Sequence, residues 1–600
     1  MTSIVKNEKS ELKQQIIRYC VSVISVFGII GCIAVLFPQV RQLIMELAER
    51  YLIHRTLNRP DIWFNRLFVY AYRFIICIII CDFFTLTIWG RLILNKIKNA
   101  MKPQLRELDF KLFVKPVLIM SGIYVLALLS LIRANFSYSD DLHRAIHGQR
   151  GWVGWSRYIS NILAIFIHTN SNISDISPLP QLIAIFLLAI SCVLLVYLLG
   201  NKKIITLSLF ASVPVGLSPY FLQCLSYKFD SPYMALSIVT SIMPFLFIES
   251  RIIFIASSIL GLLVMCMTYQ ASSGIYILLT IILCFQNWNR KEKSMKDILK
   301  FAGIAMVTFI FTMIFFRVVF MQLYSGYGVS TAMFSHKYIL FGILVNIKQY
   351  TVQTIHNFNM VWKIGIVLVC IFFVYHAVKT SKQAKFIACI VSIFVIFALY
   401  IMSFGVYLVL ETPLFAPRAM YGFGVFIAIL CICVTTRAAK ISSLSVLALN
   451  WCFVVFACIY GNALVDQKRY TDFRAELLLH DLSNLFPDRK KTDMKLQLEN
   501  DIGYAPIVQK IIKQYPITKE LVPIDIDGSI EWTYYYLLEY FNWGTEKMAN
   551  GKPNTQTVEL MAEFAKHDFS TMDLPILLDS YYHTIKSDGE RILIVLKQGE

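Results

Sequence analysis

The sequence predicts a polytopic α-helical membrane protein of about thirteen spans, followed by a small C-terminal soluble α/β domain. Three observations predict it. Of 600 residues, 57% are hydrophobic, against roughly 45–50% in soluble domains. The excess is gathered into blocks of about 16 to 24 residues with few charges, the length a helix needs to cross a bilayer. Charge is divided as well: residues 461–600 hold 16 Lys+Arg and 22 Asp+Glu, whereas the first 460 hold 40 and 16. The apolar part therefore carries +24 and the tail −6 of the net +18.

The spans are expected near 17–37, 67–89, 114–132, 181–199, 204–222, 234–249, 252–268, 272–286, 301–323, 361–378, 385–410, 420–435 and 441–460. The N-terminus, Met1 to Gln15, is polar and lacks a small-residue cleavage site, so the first run reads as a retained span. Residues 1–110 form a two-span N-terminal region whose connector, 38–66, carries five arginines and suits a helix lying in the interface. Residues 111–460 form the transmembrane body, and 461–600 the soluble domain. Basic loops at Asn95–Arg106, Asn201–Lys203, Arg290–Lys293, Lys379–Lys385 and Arg437–Lys440 fall on one side, which makes that side cytoplasmic. The loops near 133–180, 223–233, 324–360 and 411–419, and the tail, then fall on the opposite side.

In the tail, Ala505–Gln514 reads as helix, and Leu521–Asp527 and Arg591–Lys597 read as strands. The aromatic run Trp532–Trp543 suits core packing, with sugar stacking as the alternative. All 14 cysteines precede residue 460, most of them inside apolar runs, and none has a histidine at zinc spacing. No basic face with an aromatic platform points to nucleic acid. No Walker loop, dinucleotide fingerprint or nucleophile elbow is present.

Ser139-Asp140-Asp141 follows the apolar run Val114–Ile132, with Arg133 the only intervening charge. A carboxylate so close to hydrocarbon survives because it is paired or because it works. One such group beside an acceptor hydroxyl can act as general base, and a neighbouring acid can raise its pKa or bind a metal. The alternative is an N-cap on a helix through Leu142–Gly148. His143 and His147, four apart, share a helical face and with the aspartates offer a metal site; solvated loop histidines are the commoner case. Trp155 and Trp152 suit membrane anchors. Arg157 can grip a phosphate and opens Tyr158–Ile167, too short for a span and suited to the outer interface. Lys228 and Asp230 lie between Pro219 and Pro232, close to the membrane. Tyr269-Gln270 forms a very short outer turn, and Arg418 sits in a proline-bracketed one, snorkelling or neutralising a phosphate.

Tyr138-Ser-Asp-Asp-Leu-His-Arg144, Gly154-Trp-Ser-Arg157, Ser218-Pro-Tyr-Phe-Leu222, Leu225–Tyr233 and Tyr269-Gln-Ala271 together resemble the bacterial and phage serotype-converting glucosyltransferases of type II. The likeness runs from about 110 to 435 and extends weakly to Ile507–Pro523. It implies a GT-C-type glycosyltransferase fold, an undecaprenyl-phosphate-hexose donor, usually glucose, and an O-antigen or related lipid-linked glycan acceptor. It places a multi-pass enzyme in the bacterial inner membrane, with site and tail periplasmic. A donor-synthesising glycosyltransferase and a donor flippase would be its partners, besides membrane lipids. By position Asp140 and Asp141 match the diacidic motif; Arg157, Lys228 and Asp230 match other polar signatures. The expected mechanism is a single displacement, with Asp141 preferred as base and Arg157 and Lys228 holding the departing phosphate. No obligatory cofactor or metal is expected, a divalent cation being the alternative. The rival readings are a polyprenyl-linked glycan flippase and an O-antigen polymerase or ligase.

Overall fold

The computed structural model describes residues 95–101, 103, 109–322, 325–326, 329–436, 440–487, 495–528, 570, 572–589 and 591–598. The chain divides into two units, Met1–Glu107 with Ile314–Met321, and Leu108–Met313 with Gln322–Glu600. The expected spans at 17–37 and 67–89, the 38–66 connector and the Trp532–Trp543 run lie outside the described residues.

The second unit opens with α1 (Lys111–Ala134), which ends at Asn135 in the left-handed conformation, with Arg133 in the last turn. Next come α2 (Asp140–His147), a 3-10 turn at Trp152–Trp155, α3 (Tyr158–His168) and α4 (Leu179–Leu199). Prolines then chop the expected span at 204–222 into α5 (Thr206–Ala211), α6 (Pro214–Leu217) and α7 (Pro219–Ser226), bent by 60° at Ser218. A proline ring cannot donate to the preceding turn, which forces the break. The helices α8 (Ser231–Ile242), α9 (Arg251–Thr268), α10 (Ser273–Arg290) and α11 (Met295–Val319) follow. After the short strands β1 (Ser325–Gly326) and β2 (Val329–Ser330) come α12 (Ile339–Asn357), α13 (Met360–Thr380), α14 (Lys385–Met402), a 3-10 turn at Gly405–Val409, α15 (Pro417–Met420), α16 (Gly422–Thr435) and α17 (Lys440–Leu485).

Among the described residues, eight helices are long and apolar enough to cross a membrane, or nine if the bent pair is one span. The expected runs at 234–249 and 420–435 become short apolar helices. Every residue of α16 is buried, among α4, α5, α6, α13 and α17. Such a helix is apolar all round because protein, not solvent, surrounds it.

The loop expected at 324–360 contains α12, nineteen residues long. Asn346 donates to the carbonyls of Leu408 and Leu410, and Tyr350 to that of Leu414. At its far end Gln353 and Asn357 donate to Glu520. This helix therefore runs along the 405–415 segment, while Leu340, Phe341, Leu344, Val352 and Ile355 are exposed. Polar residues every few positions hid it from a search for apolar runs, and they are the residues that tether it.

Two features differ from expectation in the tail. The expected boundary at 461 falls inside α17, which continues unbroken to Leu485. The expected strand Leu521–Asp527 is instead the end of a helical turn, α19 (Thr518–Leu521), and an irregular segment bridged only at Asp501–Asp527. Pro523 removes a ladder donor from the middle of it. The helix α18 (Pro506–Gln514) lies where helix was expected. Strands β3 (Lys495–Glu499), β4 (Ile576–Asp579), β5 (His583–Ser587) and β6 (Arg591–Leu596) form a sheet in the order β3-β6-β5-β4. The β3–β6 pair is parallel and the others antiparallel. Ala475, Leu478 and Leu482 of α17 pack on Ile585, Ile592 and Ile594 of that sheet. Leu142 of α2 belongs to the same apolar cluster, so the helix carrying the two aspartates is seated on the tail.

Candidate active site

The site begins with how α1 is held. It crosses α17 closely because Gly461 has no side chain: a Cβ there would lie 2.4 Å from the Leu131 backbone nitrogen. Ser130 donates to the Ala457 carbonyl and Arg133 to Asn462. Small residues permit this approach between apolar helices. The chain then turns through Asn135–Ser139 into α2.

Ser139 makes no side-chain cap on α2, so the capping alternative is not what the segment adopts. Asp141 is fully buried. Its Oδ2 accepts the backbone N–H groups of Tyr138 (3.2 Å) and Lys228 (2.9 Å), and its Oδ1 that of Phe229 (3.4 Å). Burial, then the charge of Asp140, pushes its carboxyl well above the ordinary value. Both oxygens of Asp141 are thus engaged in tying α2 to the loop before α8. Enclosed in this way, Asp141 is less open to an acceptor hydroxyl than its neighbour.

Asp140 is different. Its side chain is 35% exposed. Arg144, one turn on, places Nη2 at 2.7 Å and Nε at 3.2 Å from Oδ2. Among the described residues nothing bonds its Oδ1. Arg144 is buried and held in turn: its guanidinium lies 4.4 Å over the Trp152 ring, donates to the Arg150 carbonyl and stands 3.6 Å from Asp230. Stacking of this kind contributes about 0.5–2 kcal/mol. Asp230 is buried; it accepts the Trp152 indole N–H at 2.5 Å and lies 3.7 Å from Arg157. Burial pushes its carboxyl up, while Arg144 and Arg157 pull against that.

Arg157 lies 4.4 Å over the Tyr269 ring. Arg418 lies 5.3 Å over the Tyr227 ring, and among the described residues no carboxylate pairs with it. Burial pushes up the phenols of Tyr269 and Tyr407, and the charges of both Arg157 and Arg418 act against it. Each of the two arginines is thus seated on a tyrosine ring. Gln270 donates to the Trp155 carbonyl at 3.3 Å, and Trp155 is exposed at the rim.

Lys228 does not join them. Its ammonium bonds Asp175 at 2.6 Å, Asn135 at 3.2 Å and Ser137 at 3.4 Å, with 3% of the side chain exposed. It staples three loops, and each of its three donors has a protein partner. The His143 and His147 rings lie 4.6 Å apart, tilted by 55° to each other. Burial, then His147 and Arg144, pushes His143 down to about 4, so it is neutral near pH 7. Among the described residues no three His, Cys, Asp or Glu side chains gather as metal ligands.

The sequence reading missed Arg144, Tyr227 and Tyr407 as parts of this site, and Trp152, expected as a membrane anchor, is instead fully buried against Asp230. Only Arg144 carried a usable signal, its i,i+4 spacing from Asp140 on a short helix.

The glucosyl transferase GtrII family matches residues 129–460, the stretch that holds all of these groups except the tail. The chain is also 24% identical, over 69% of its length and 87% of the relative's, to an uncharacterized 55.3 kDa protein encoded in the gtrB 5′ region of Salmonella phage P22. No solved structure matches it significantly.

Proposed function

The chain belongs to the GtrII glucosyl transferase family, and from that premise we propose that this multi-pass membrane glycosyltransferase moves glucose from a polyprenyl-phosphate donor to a lipid-linked surface glycan. What supports the reading, besides the family, is one partly open carboxylate, Asp140, and two arginines, Arg157 and Arg418, seated over the Tyr269 and Tyr227 rings.

The acceptor hydroxyl oxygen bonds to the sugar's anomeric carbon as the bond from that carbon to the phosphate oxygen breaks. The bonding pair leaves with the lipid phosphate. Asp140 Oδ1 takes the hydroxyl proton, its other oxygen being fixed by Arg144. Arg157 and Arg418 face the charge that grows on the leaving phosphate. Preorganised donors of this kind supply several kcal/mol of transition-state stabilisation. The donor already carries an activated glycosyl–phosphate bond, so no nucleotide is spent. Arg418 replaces Lys228 in this assignment, and Asp140 replaces Asp141.

The donor's polyprenyl chain, the undecaprenyl length and the O-antigen acceptor rest on the family and on the apolar surroundings. Periplasmic placement rests on the basic loops opposite the site.

The test is transfer by purified protein from polyprenyl-phosphate glucose to a lipid-linked glycan. Transfer by the wild type, lost in Asp140→Asn, is expected. Asp140→Asn transferring at the wild-type rate would sink the assignment of the base. A wild type that transfers nothing but moves polyprenyl lipid between leaflets would favour the flippase.

A further inference from the structure

Gln223 lies on α7 and is 3% exposed. A glutamine amide has two N–H donors and one carbonyl acceptor. Here all are used, each on a different and distant part of the chain. Nε2 donates to the Tyr138 hydroxyl at 2.9 Å and to the Glu520 carbonyl at 3.3 Å. Oε1 accepts the Arg418 backbone N–H at 2.7 Å.

Each partner leads to a working group or to the tail. The Tyr138 backbone N–H bonds Asp141, which fixes α2 and so Asp140. Its hydroxyl donates to the Leu521 carbonyl at 2.8 Å, which also accepts the Tyr460 hydroxyl at 3.1 Å. The Glu520 carboxylate accepts from Gln353 at 2.9 Å and Asn357 at 3.3 Å on α12. One buried amide thus joins the aspartate segment, the Arg418 turn and the tail.

We infer that Gln223 is a positioning residue that sets the distance between Asp140 and Arg418, and that the tail segment at Glu520–Leu521 completes the same joint. The inference rests on the reading of Asp140 and Arg418 as reacting-site groups. An apolar side chain of similar size at 223 would leave the Tyr138 hydroxyl with one bond fewer and strand the Arg418 N–H. The direct link between the two segments would be lost, and they would drift apart. A shift of about 1 Å can cost on the order of 100-fold in rate. A group that only supports folding would instead change the amount of folded protein.

The experiment uses the full chain in lipid nanodiscs, comparing wild type with Gln223→Leu, Gln223→Glu, Tyr138→Phe and the Gln223→Leu/Tyr138→Phe double variant. Two readouts are taken. The first is kcat and donor KM per folded molecule. We expect kcat to fall about tenfold or more in Gln223→Leu, with donor KM changing less, and the double variant to be no worse than Gln223→Leu. A kcat within about twofold of wild type in Gln223→Leu and Gln223→Glu would overturn the inference. The second readout, amide hydrogen exchange, does not depend on activity. Exchange at 138–147 and at 416–421 should rise together in Gln223→Leu, whereas Gln223→Glu, which keeps the acceptor for the Arg418 N–H but loses the donors, should raise exchange chiefly at 138–147. Unchanged exchange in both segments would overturn the joint whatever the rate data. If the wild type transfers no glucose while coupled exchange is seen, the joint stands and the reaction assigned to the site fails.

Discussion

At the residue scale, the two adjacent aspartates have opposite fates. Asp140 keeps one oxygen open beside Arg144, whereas Asp141 spends both on backbone N–H groups. Asp140→Asn should lower transfer per folded molecule by about 10²–10⁴-fold, the usual contribution of a positioned base, and should lower the melting temperature as well, because the buried Arg144 loses its nearest carboxylate. Asp141→Asn should act on stability, and its pH dependence has a definite sign. Burial raises the folded pKa of Asp141 above 3.8. The folded protein then keeps this proton to higher pH than the unfolded chain does. The contribution is complete below the unfolded value and is lost as pH rises through the folded one. The melting temperature of the wild type, taken relative to Asp141→Asn, should therefore decline as pH rises above 3.8. Melting temperatures that run parallel from there into the neutral range would contradict the buried, proton-holding role. The pair was legible from its place beside a span; which aspartate is open was not, because adjacent identical side chains differ only in what surrounds them.

At the element scale, the site depends on two junctions. One is the α1–α17 crossing at Gly461, where any side chain would meet the backbone of Ser130 and Leu131. Gly461→Ala should cost roughly 1–3 kcal/mol by overpacking, and Gly461→Leu should prevent folding, both read by thermal denaturation in detergent. An alanine variant with wild-type melting would show that the crossing can relax. The other junction is the Lys228 staple on Asp175, Asn135 and Ser137. Lys228→Met should destabilise by roughly 2–4 kcal/mol, since it strands the partner of a largely buried pair. It should leave the donor KM of the folded fraction unchanged. A large rise in donor KM with normal stability would return Lys228 to phosphate binding. The spans of both junctions were legible from apolar length. The crossing was not, because a glycine in a helix shows its purpose only when a second helix touches it.

At the scale of the whole molecule, the aspartate helix, the Arg418 turn and the tail sheet belong to one unit. Leu142 sits in the apolar cluster that α17 shares with the sheet, so the tail and the site share one face. A reporter fused after Gln598 should accordingly be active only outside the cytoplasm, if the basic loops set orientation as they usually do. Cytoplasmic activity of that fusion would invert the assignment of sides and move the site with it. The helix α12 adds a second consequence. Its polar side chains are tied to the 405–415 segment while its apolar residues are exposed, as suits a helix lying at a membrane surface.

Residue order was enough to establish a helical membrane protein, the course of most of its long spans, and the polar segments that gather near its function. Those follow from local quantities: apolar length, proline position, and charge beside hydrocarbon. Folding in three dimensions was needed to show that Asp140 rather than Asp141 is open, that Lys228 is spent on Asp175, that Arg144 pairs with Asp140, and that Gln223 bonds both Tyr138 and the Arg418 backbone. The same is true of α17, which carries the tail onto the aspartate helix. Each of these turns on burial and on partners that are mostly tens to hundreds of residues away. In a buried polar site the surroundings, not the residue type, set which groups are free to act.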